Sequence, residues 1–421
     1  MKENNEKKHI LVVSQYFYPE QFRINDICKE WLNRGYEVTV LTGIPNYPHG
    51  KFYDGYGLNK KRIEMWNGIK IIRIPLIPRG HNSLGLCLNY ISFVISGFFW
   101  KCTAKIDADI VFNYEVSPMT QALVGIWYAK RKKIPFYLYV TDLWPDNVEI
   151  ITGIHNRFFI GILNSVVNYI YRKCDRIFAS SKSFVSKMRE RGVPERKLEF
   201  WPQYAEDFYR PYLRSDAYAL KNEIPDDGIF NIVFAGNIGY AQGLNILADT
   251  AEILKKENIR VRFNIIGNGR YKEKMLDEID KKNLGDYFNF IEKQPAEKIP
   301  LYMAYADAAL ICLSKSDVFA MTIPAKTQSC MACGVPILVS ADGEVGEIIE
   351  EARCGYSSGA ADAAGLAENI KRICKASENE LNEMGKRSRF YYDNNFKKDM
   401  LMDRMDVFFT EEIKNVKNVN V

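Results

Sequence analysis

Histidine is scarce in this chain: four in 421 residues, at positions 9, 49, 81 and 155, none at a metal-ligand spacing from another. A histidine-built metal centre is therefore not expected. Cysteine is commoner, with nine residues, but only Cys330 and Cys333 form a C-x-x-C pair. No second pair and no nearby histidine completes a zinc set. Most of the other thiols lie in apolar runs, where cysteine acts as a small hydrophobe, and the usage reads as that of a reducing, cytosolic chain. Walker A and G-x-S-x-G patterns are missing, which excludes P-loop and nucleophile-elbow chemistry. No basic–aromatic signature of a nucleic-acid module occurs, so no nucleic acid is expected as a partner. The opening MKENNEKKHILVVS lacks the apolar core and cleavage site of a secretory leader. No apolar run reaches the ~20 residues of a spanning helix.

What the chain does contain is ordinary for a large globular protein: 47% hydrophobic and 26% charged residues, with 13% aromatics to fill its cores. The length suggests two domains, or three. Charge divides unevenly. Residues 1–210 carry 30 Lys and Arg against 20 Asp and Glu, whereas residues 211–421 carry 27 against 32. The basic half suits an anionic partner, although scattered surface charge gives the same count.

Short β-rich runs alternate with amphipathic stretches. In the first half they are 9–14, 37–42, 69–75, 109–113, 135–141, 176–180 and 197–201; in the second, 231–236, 261–267, 287–291, 308–313 and 336–340. Helical patterns lie between them, over Asn25–Asn33 ending at Gly35, Met119–Lys132, and Ser183–Arg191 ending at Gly192. Nearly continuous apolar strands alternating with helices imply parallel sheets covered on both faces. Two such arrays meet near 201–214.

Two segments break this rhythm. Leu84–Trp100 is a 17-residue apolar run flanked by Arg79, His81, Lys101 and Lys105, and 158–170 is a second, between Arg157 and Arg172–Lys173. Asn89, Ser92 and Ser96 argue against a membrane span for the first. Each run alone reads as a buried core helix; the two together, in the basic half, point to a face that touches a membrane.

Several strand exits hold residues suited to chemistry. FAGNIGYAQG (234–243) is a strand, a glycine loop and a helix start; Gly236 and Gly239 let backbone approach an anion, and a tight turn uses them equally well. Gly267 and Gly269 end another strand and suit either close passage by a flat ring or a turn. In TIPAKTQSCMACGVP (322–336), Pro324 begins a short helix that places Lys326 and Ser329 on one face near its N-terminus, as a phosphate site requires. A solvated lysine fits the same pattern. Asp142, in YVTDLWPDN (139–147), stands at a strand's C-terminal end, where open α/β sheets bind ligands. It is placed to act as a general base, or it caps the turn before Trp144–Pro145. Asp107–Ala–Asp109 matches D-x-D, but nothing nearby completes a metal site, and it reads as a loop.

Taken in order, these segments resemble the family 4 glycosyltransferases of the GT-B fold, over nearly the whole chain. Gly236–Gly243 falls where that family has its donor loop, Gly267–Asn268–Gly269 resembles its G-x-G turn near the nucleotide base, Pro295, Glu297 and Ala306–Asp307 resemble its connecting stretch, and MACGVP (331–336) resembles its MACGxP. SQYFYPEQFRIND, DLWPD, GNIGYAQG, IPAKTQS and ADGE are similar to bacterial surface-polysaccharide enzymes, N-acetyl-fucosamine transferases among them. The sequence also departs from the family. Its basic donor-loop residues are Asn237 and Gln242 here, and the two carboxylates of its E-x7-E motif fall on Met321 and Ser329. Lys326 is left as the cation for a diphosphate, and Glu344 as a replacement carboxylate.

The resemblance implies an α/β protein of GT-B type: two Rossmann-like domains with a cleft between them, over 1–207 and 208–385, and a C-terminal helix over 386–421 returning to the first. It implies transfer of a sugar, of N-acetylated amino or deoxy type, from a UDP-sugar with retention and without metal or other cofactor. The donor contacts implied are Gly236, Asn237, Gln242, Gly267, Asn268, Gly269, Lys326, Ser329 and Glu344. Asp142 falls at the catalytic centre, and Tyr18, Glu20, Arg23 and Trp144 at the acceptor. The acceptor implied is an undecaprenyl-diphosphate-linked sugar at the inner face of the plasma membrane, with an anionic membrane surface as partner. A non-catalytic scaffold subunit that has lost its donor site, and a transferase with a soluble acceptor, are the alternatives.

Overall fold

The computed structural model describes residues 7–80, 82–148 and 156–419, with side chains to 411. His81 and His155 lie outside the described residues. The chain divides into two compact units. One comprises residues 1–180, 184–201 and 404–421, and the other 181–183 and 202–403. The change of unit falls after Trp201 rather than after 207, and the C-terminal stretch is shared: residues up to Asp403 belong to the second unit and those from Arg404 to the first.

The first unit is built on an eight-stranded sheet. In chain order the elements are β1 (His9–Val13), α1 (Arg23–Asn33), β2 (Glu37–Gly43), β3 (Ile63–Trp66), β4 (Ile69–Ile74), α2 (Ser83–Thr103), β5 (Ile110–Glu115), α3 (Ala122–Lys132), β6 (Phe136–Val140), α4 (Arg157–Lys173), β7 (Arg176–Ala179) and β8 (Leu198–Phe200). The sheet order is β3-β4-β2-β1-β5-β6-β7-β8, and each pairing is parallel except β3–β4. Strands β5 and β6 are buried along their whole length, as a parallel sheet sandwiched by helices requires. Trp31 of α1 is fully buried, with its ring 4.9 Å from Phe112 and 5.6 Å from Phe409, so the chain's last helix completes this core.

The second unit has a six-stranded, wholly parallel sheet. Its strands are β9 (Phe230–Ala235), β10 (Val261–Ile266), β11 (Phe288–Ile291), β12 (Ala308–Cys312), β13 (Ile337–Ser340) and β14 (Gly355–Ser358), in the order β11-β10-β9-β12-β13-β14. That is the doubly wound arrangement of a nucleotide-binding sheet, and its strand order reverses between β9 and β12. In the first unit the reversal lies between β1 and β5.

Two strands escape the sequence pattern. β3 reads IEMW, an edge strand with alternate residues exposed, and β14 reads GYSS, with no apolar run. Register with a neighbour, rather than apolar content, makes each a strand.

The reading of each apolar run, taken alone, as a buried core helix is corrected. α2 is 21 residues long and buries only Asn89, Phe93 and Gly97, a single stripe at four-residue spacing. That stripe sits on α3: a Cβ on Gly97 would lie 2.3 Å from Val124. Much of the rest of the helix is exposed, with Leu84 at 68% and Phe99 at 66% exposure, and Phe158 on α4 reaches 79%.

Candidate functional site

The second unit assembles its polar site at the reversal point of its sheet. β9 leads into Gly236, whose backbone N–H donates to the Ile266 carbonyl at 2.9 Å; Ile238 N–H donates to the Asn268 carbonyl and Tyr271 N–H to that of Ile238. The loops after β9 and β10 are thereby zipped together. This explains their glycines: a Cβ on Gly267, at φ +146°, would meet the Gly236 carbonyl at 1.9 Å, and one on Gly269 the Ile238 carbonyl at 2.2 Å. Both have a structural duty. Asn237 and Asn268 stand exposed at the rim, and the Asn268 side chain accepts from Gly269 N–H at 2.8 Å.

Lys326 comes to this loop from the helix Ala325–Ala332, which follows β12. Its ammonium lies 4.0 Å over the ring of fully buried Phe234, 3.3 Å from where a Gly236 Cβ would project, and donates to Gln242 Oε1. Burial lowers its pKa to about 8. Gly236 and Gln242 of one loop thus meet the sequence-distant Lys326 around its cation. Ser329, one turn on, donates to the Ala325 carbonyl at 3.2 Å. Glu344 is elsewhere in the unit's bonding: its two carboxylate oxygens accept the backbone N–H groups of Lys182 and Ser183, each at 2.8 Å.

In the first unit the exits of β5 and β6, adjacent strands beside that sheet's reversal, make a second constellation. Asp142 Oδ2 accepts from both the N–H and the hydroxyl of Ser117, at 2.9 and 2.8 Å, and Trp144 Nε1 donates to the same hydroxyl at 2.9 Å. Burial raises the Asp142 pKa, and the Ser117 bonds pull it down. Behind it, fully buried Glu115 accepts from Asp142 N–H at 3.4 Å, while its other oxygen has no partner among the described residues. Burial and then the Asp142 charge raise the Glu115 pKa well above the usual range. Arg23 acts electrostatically on Tyr114 and Tyr139, so it shares this neighbourhood with Asp142 and Trp144.

Glu115 and Ser117 were not singled out in the sequence. The signal was there: NYEVSP places a carboxylate directly after an apolar strand, at the same sheet edge as Asp142. The structure gives Tyr18 and Glu20 other partners. The Tyr18 ring stacks on Trp66 at 4.5 Å. Glu20 is buried and accepts backbone N–H groups from Phe17, Asn46 and Tyr47 at 3.3, 2.8 and 2.6 Å, which makes it a clamp for two loops. Burial raises its pKa to about 7.

Asp107 pairs with Lys132 at 2.8 Å, and Asp109 accepts His9 N–H at 2.8 Å. Among the described residues, no three His, Cys, Asp or Glu side chains are placed to share a metal ion.

Comparison with known proteins matches both units. Residues 22–203 match the model described as Glycosyltransferase Family 4, and residues 217–390 the one described as Glycosyl transferases group 1. A glycosyl transferase of Escherichia coli K12 named for colanic acid biosynthesis, WcaI, is 26% identical over 342 residues, covering 76% of this chain and 80% of its own. Among solved structures, sucrose-phosphate synthase from Thermosynechococcus elongatus superposes with a TM-score of 0.76 at 17% identity, over 96% of this chain and 99% of that one. Anabaena Alr3699/HepE in complex with UDP-glucose follows with a TM-score of 0.69 at 15% identity, over 96% and 99%. The shared architecture is GT-B.

Proposed function

Because the chain belongs to the family 4 glycosyltransferases, we propose that it moves a sugar from a UDP-sugar, held by the second unit, to a lipid-diphosphate-linked glycan in bacterial surface-polysaccharide synthesis, with retention. The observation that carries the donor side is the Lys326 ammonium held beside Gly236 and Gln242 at the sheet reversal. A cation there, next to glycine backbone, suits the diphosphate whose departure must be stabilised. The UDP-glucose bound by the HepE structure and the polysaccharide role in the name of WcaI support the same reading. Its catalysis rests on positioning and charge, and needs no metal.

On the acceptor side, Asp142 is the group to orient or deprotonate the incoming hydroxyl, with Ser117 fixing its carboxylate and Trp144 holding the Ser117 hydroxyl. The bare faces of α2 and α4, with Lys101, Lys105, Arg157, Arg172 and Lys173 at their ends, support peripheral attachment to the anionic inner face of the plasma membrane. α2 is long and apolar enough to cross a bilayer, but its buried stripe is docked on α3, and Asn89 in that stripe accepts from Gln15 Nε2 at 2.7 Å. An interfacial position keeps those contacts.

The test is a panel of UDP-sugars offered with a polyprenyl-diphosphate-linked sugar on vesicles, reading UDP release and product mass. One sugar should be transferred, equally well in the presence of a chelator. UDP binding without transfer to any lipid-linked acceptor would favour a soluble one, and no UDP binding at all would favour a scaffold.

A further inference from the structure

Glu115 is a buried carboxyl with no part in the proposed reaction. It closes β5, is fully buried, and lies in register with Val140, the last residue of β6. From there it grips the two residues that follow β6. Its backbone carbonyl accepts the Thr141 N–H at 3.0 Å and the Thr141 hydroxyl at 2.6 Å, and its Oε2 accepts the Asp142 N–H at 3.4 Å. Two residues on, the N–H and the hydroxyl of Ser117 hold the Asp142 carboxylate. Residues 115–117 thus fix Asp142 twice, by its backbone and by its side chain.

The two carboxyls differ in their surroundings. Asp142 Oδ2 has two donors, which favour its charge. Glu115 has one long backbone contact, and its Oε1 is buried with no hydrogen-bond partner among the described residues. The titratable groups that sense Glu115 are Tyr90 of α2, Tyr114 of its own strand and Tyr171 of α4, all kept neutral by burial. Arg79, Arg23 and Arg191 act on those tyrosines, whereas the charge that acts on Glu115 itself is that of Asp142. Of two carboxyls at adjacent strand exits, the fully buried one with no cation beside it is the one to stay neutral. We propose that Glu115 is a positioning residue for Asp142: as a neutral acid it holds the Asp142 backbone, so that the pair carries one negative charge, on Asp142. The proposal rests on the Asp142 reading above and adds to it. An ionised Glu115 would oppose the ionisation of Asp142 and deprive the reaction of its base.

Glu115→Leu keeps much of the bulk and removes the acceptor for the Asp142 N–H. In the transfer assay it should lower kcat roughly tenfold or more while KM for the UDP-sugar holds. Glu115→Gln keeps an acceptor and cannot ionise. It should recover most of that loss, and its turnover should fail in acid at the same pH as that of the wild type. An acid limb displaced to lower pH in Glu115→Gln would reveal a second charge beside Asp142 and overturn the proposal, as would full turnover in a folded Glu115→Leu protein. Thermal melts test the proton without substrate. Burial raises the Glu115 pKa, so the stability its proton supplies is present below the unfolded value of 4.5 and lost as pH rises above it. Glu115→Gln has no such loss, and Glu20 titrates alike in both proteins. The Tm of Glu115→Gln relative to the wild type should therefore climb between pH 5 and 8, and a constant difference would overturn the proposal. Asp142→Asn separates the two readings: full turnover there contradicts a catalytic Asp142, whereas slow turnover there beside full turnover in Glu115→Leu contradicts the role of Glu115 alone.

Discussion

At the residue scale, Lys326 meets two opposed demands. Burial against Phe234 disfavours its charge, and a diphosphate needs that charge. With its pKa lowered to about 8, the lysine is protonated below that pH and loses its proton above it. On the proposed reading UDP binds the protonated form, so its affinity should fall as pH rises through about 8 in the wild type and stay flat in Lys326→Ala. Titrations between pH 6.5 and 9 check this. Asp142→Asn keeps the shape beside Ser117 and removes the charge. Turnover should drop about 10²–10⁴-fold with UDP affinity unchanged, the range of general-base assistance. A turn cap predicts the reverse, a lowered Tm with normal turnover in the folded fraction. Glu20 follows different logic. Glu20→Ala strands three backbone N–H groups, each costing about 1–3 kcal/mol, so Tm should fall clearly while UDP affinity holds. Its folded pKa of about 7 lies above the unfolded 4.5. The folded state therefore holds the proton more tightly, and this contribution is present below pH 4.5 and lost as pH rises through 7. Tm measured against pH should lose that component in the variant.

At the scale of elements, sequence pattern and structure agree where burial on two faces dictates composition. Runs such as DIVFN and AALICL are strands because a covered parallel sheet leaves them no polar option. α2 shows where this inference ends. A helix apolar on every side has no stripe to show which face is covered, so a core helix and a surface one read alike. Only the docking of Asn89, Phe93 and Gly97 separates them. The face left bare makes its own prediction. The double change Ile95→Glu, Phe99→Glu alters exposed residues and should leave Tm within a few degrees, yet abolish flotation with anionic vesicles. Wild-type flotation should weaken with added salt, since charges are screened over about 10 Å at 0.1 M. Flotation of the double variant equal to that of the wild type would count against an attachment face on α2.

At the scale of the whole molecule, each unit carries its own sheet reversal, and each candidate constellation lies by one. The alternating strands and helices made that organisation legible, along with Gly236 and Asp142 at strand exits and Lys326 in the first turn of a short helix. Long-range bonding stayed hidden. Nothing local reveals that Gln242 meets Lys326, that Ser117 holds Asp142 and Trp144 holds Ser117, or that Glu344 and Glu20 serve backbone N–H groups. Each of those contacts joins segments that follow different strands. The family's missing donor-loop cations and E-x7-E carboxylates make donor binding the point on which the account turns. Calorimetric titration of UDP into the wild type and Lys326→Ala tests it most directly. A charge-assisted phosphate contact contributes about 1.5–3 kcal/mol, so the wild type should bind UDP and the variant should bind it roughly 10- to 100-fold more weakly. No UDP binding by the wild type, or equal affinity in the two proteins, would contradict a donor site built around Lys326.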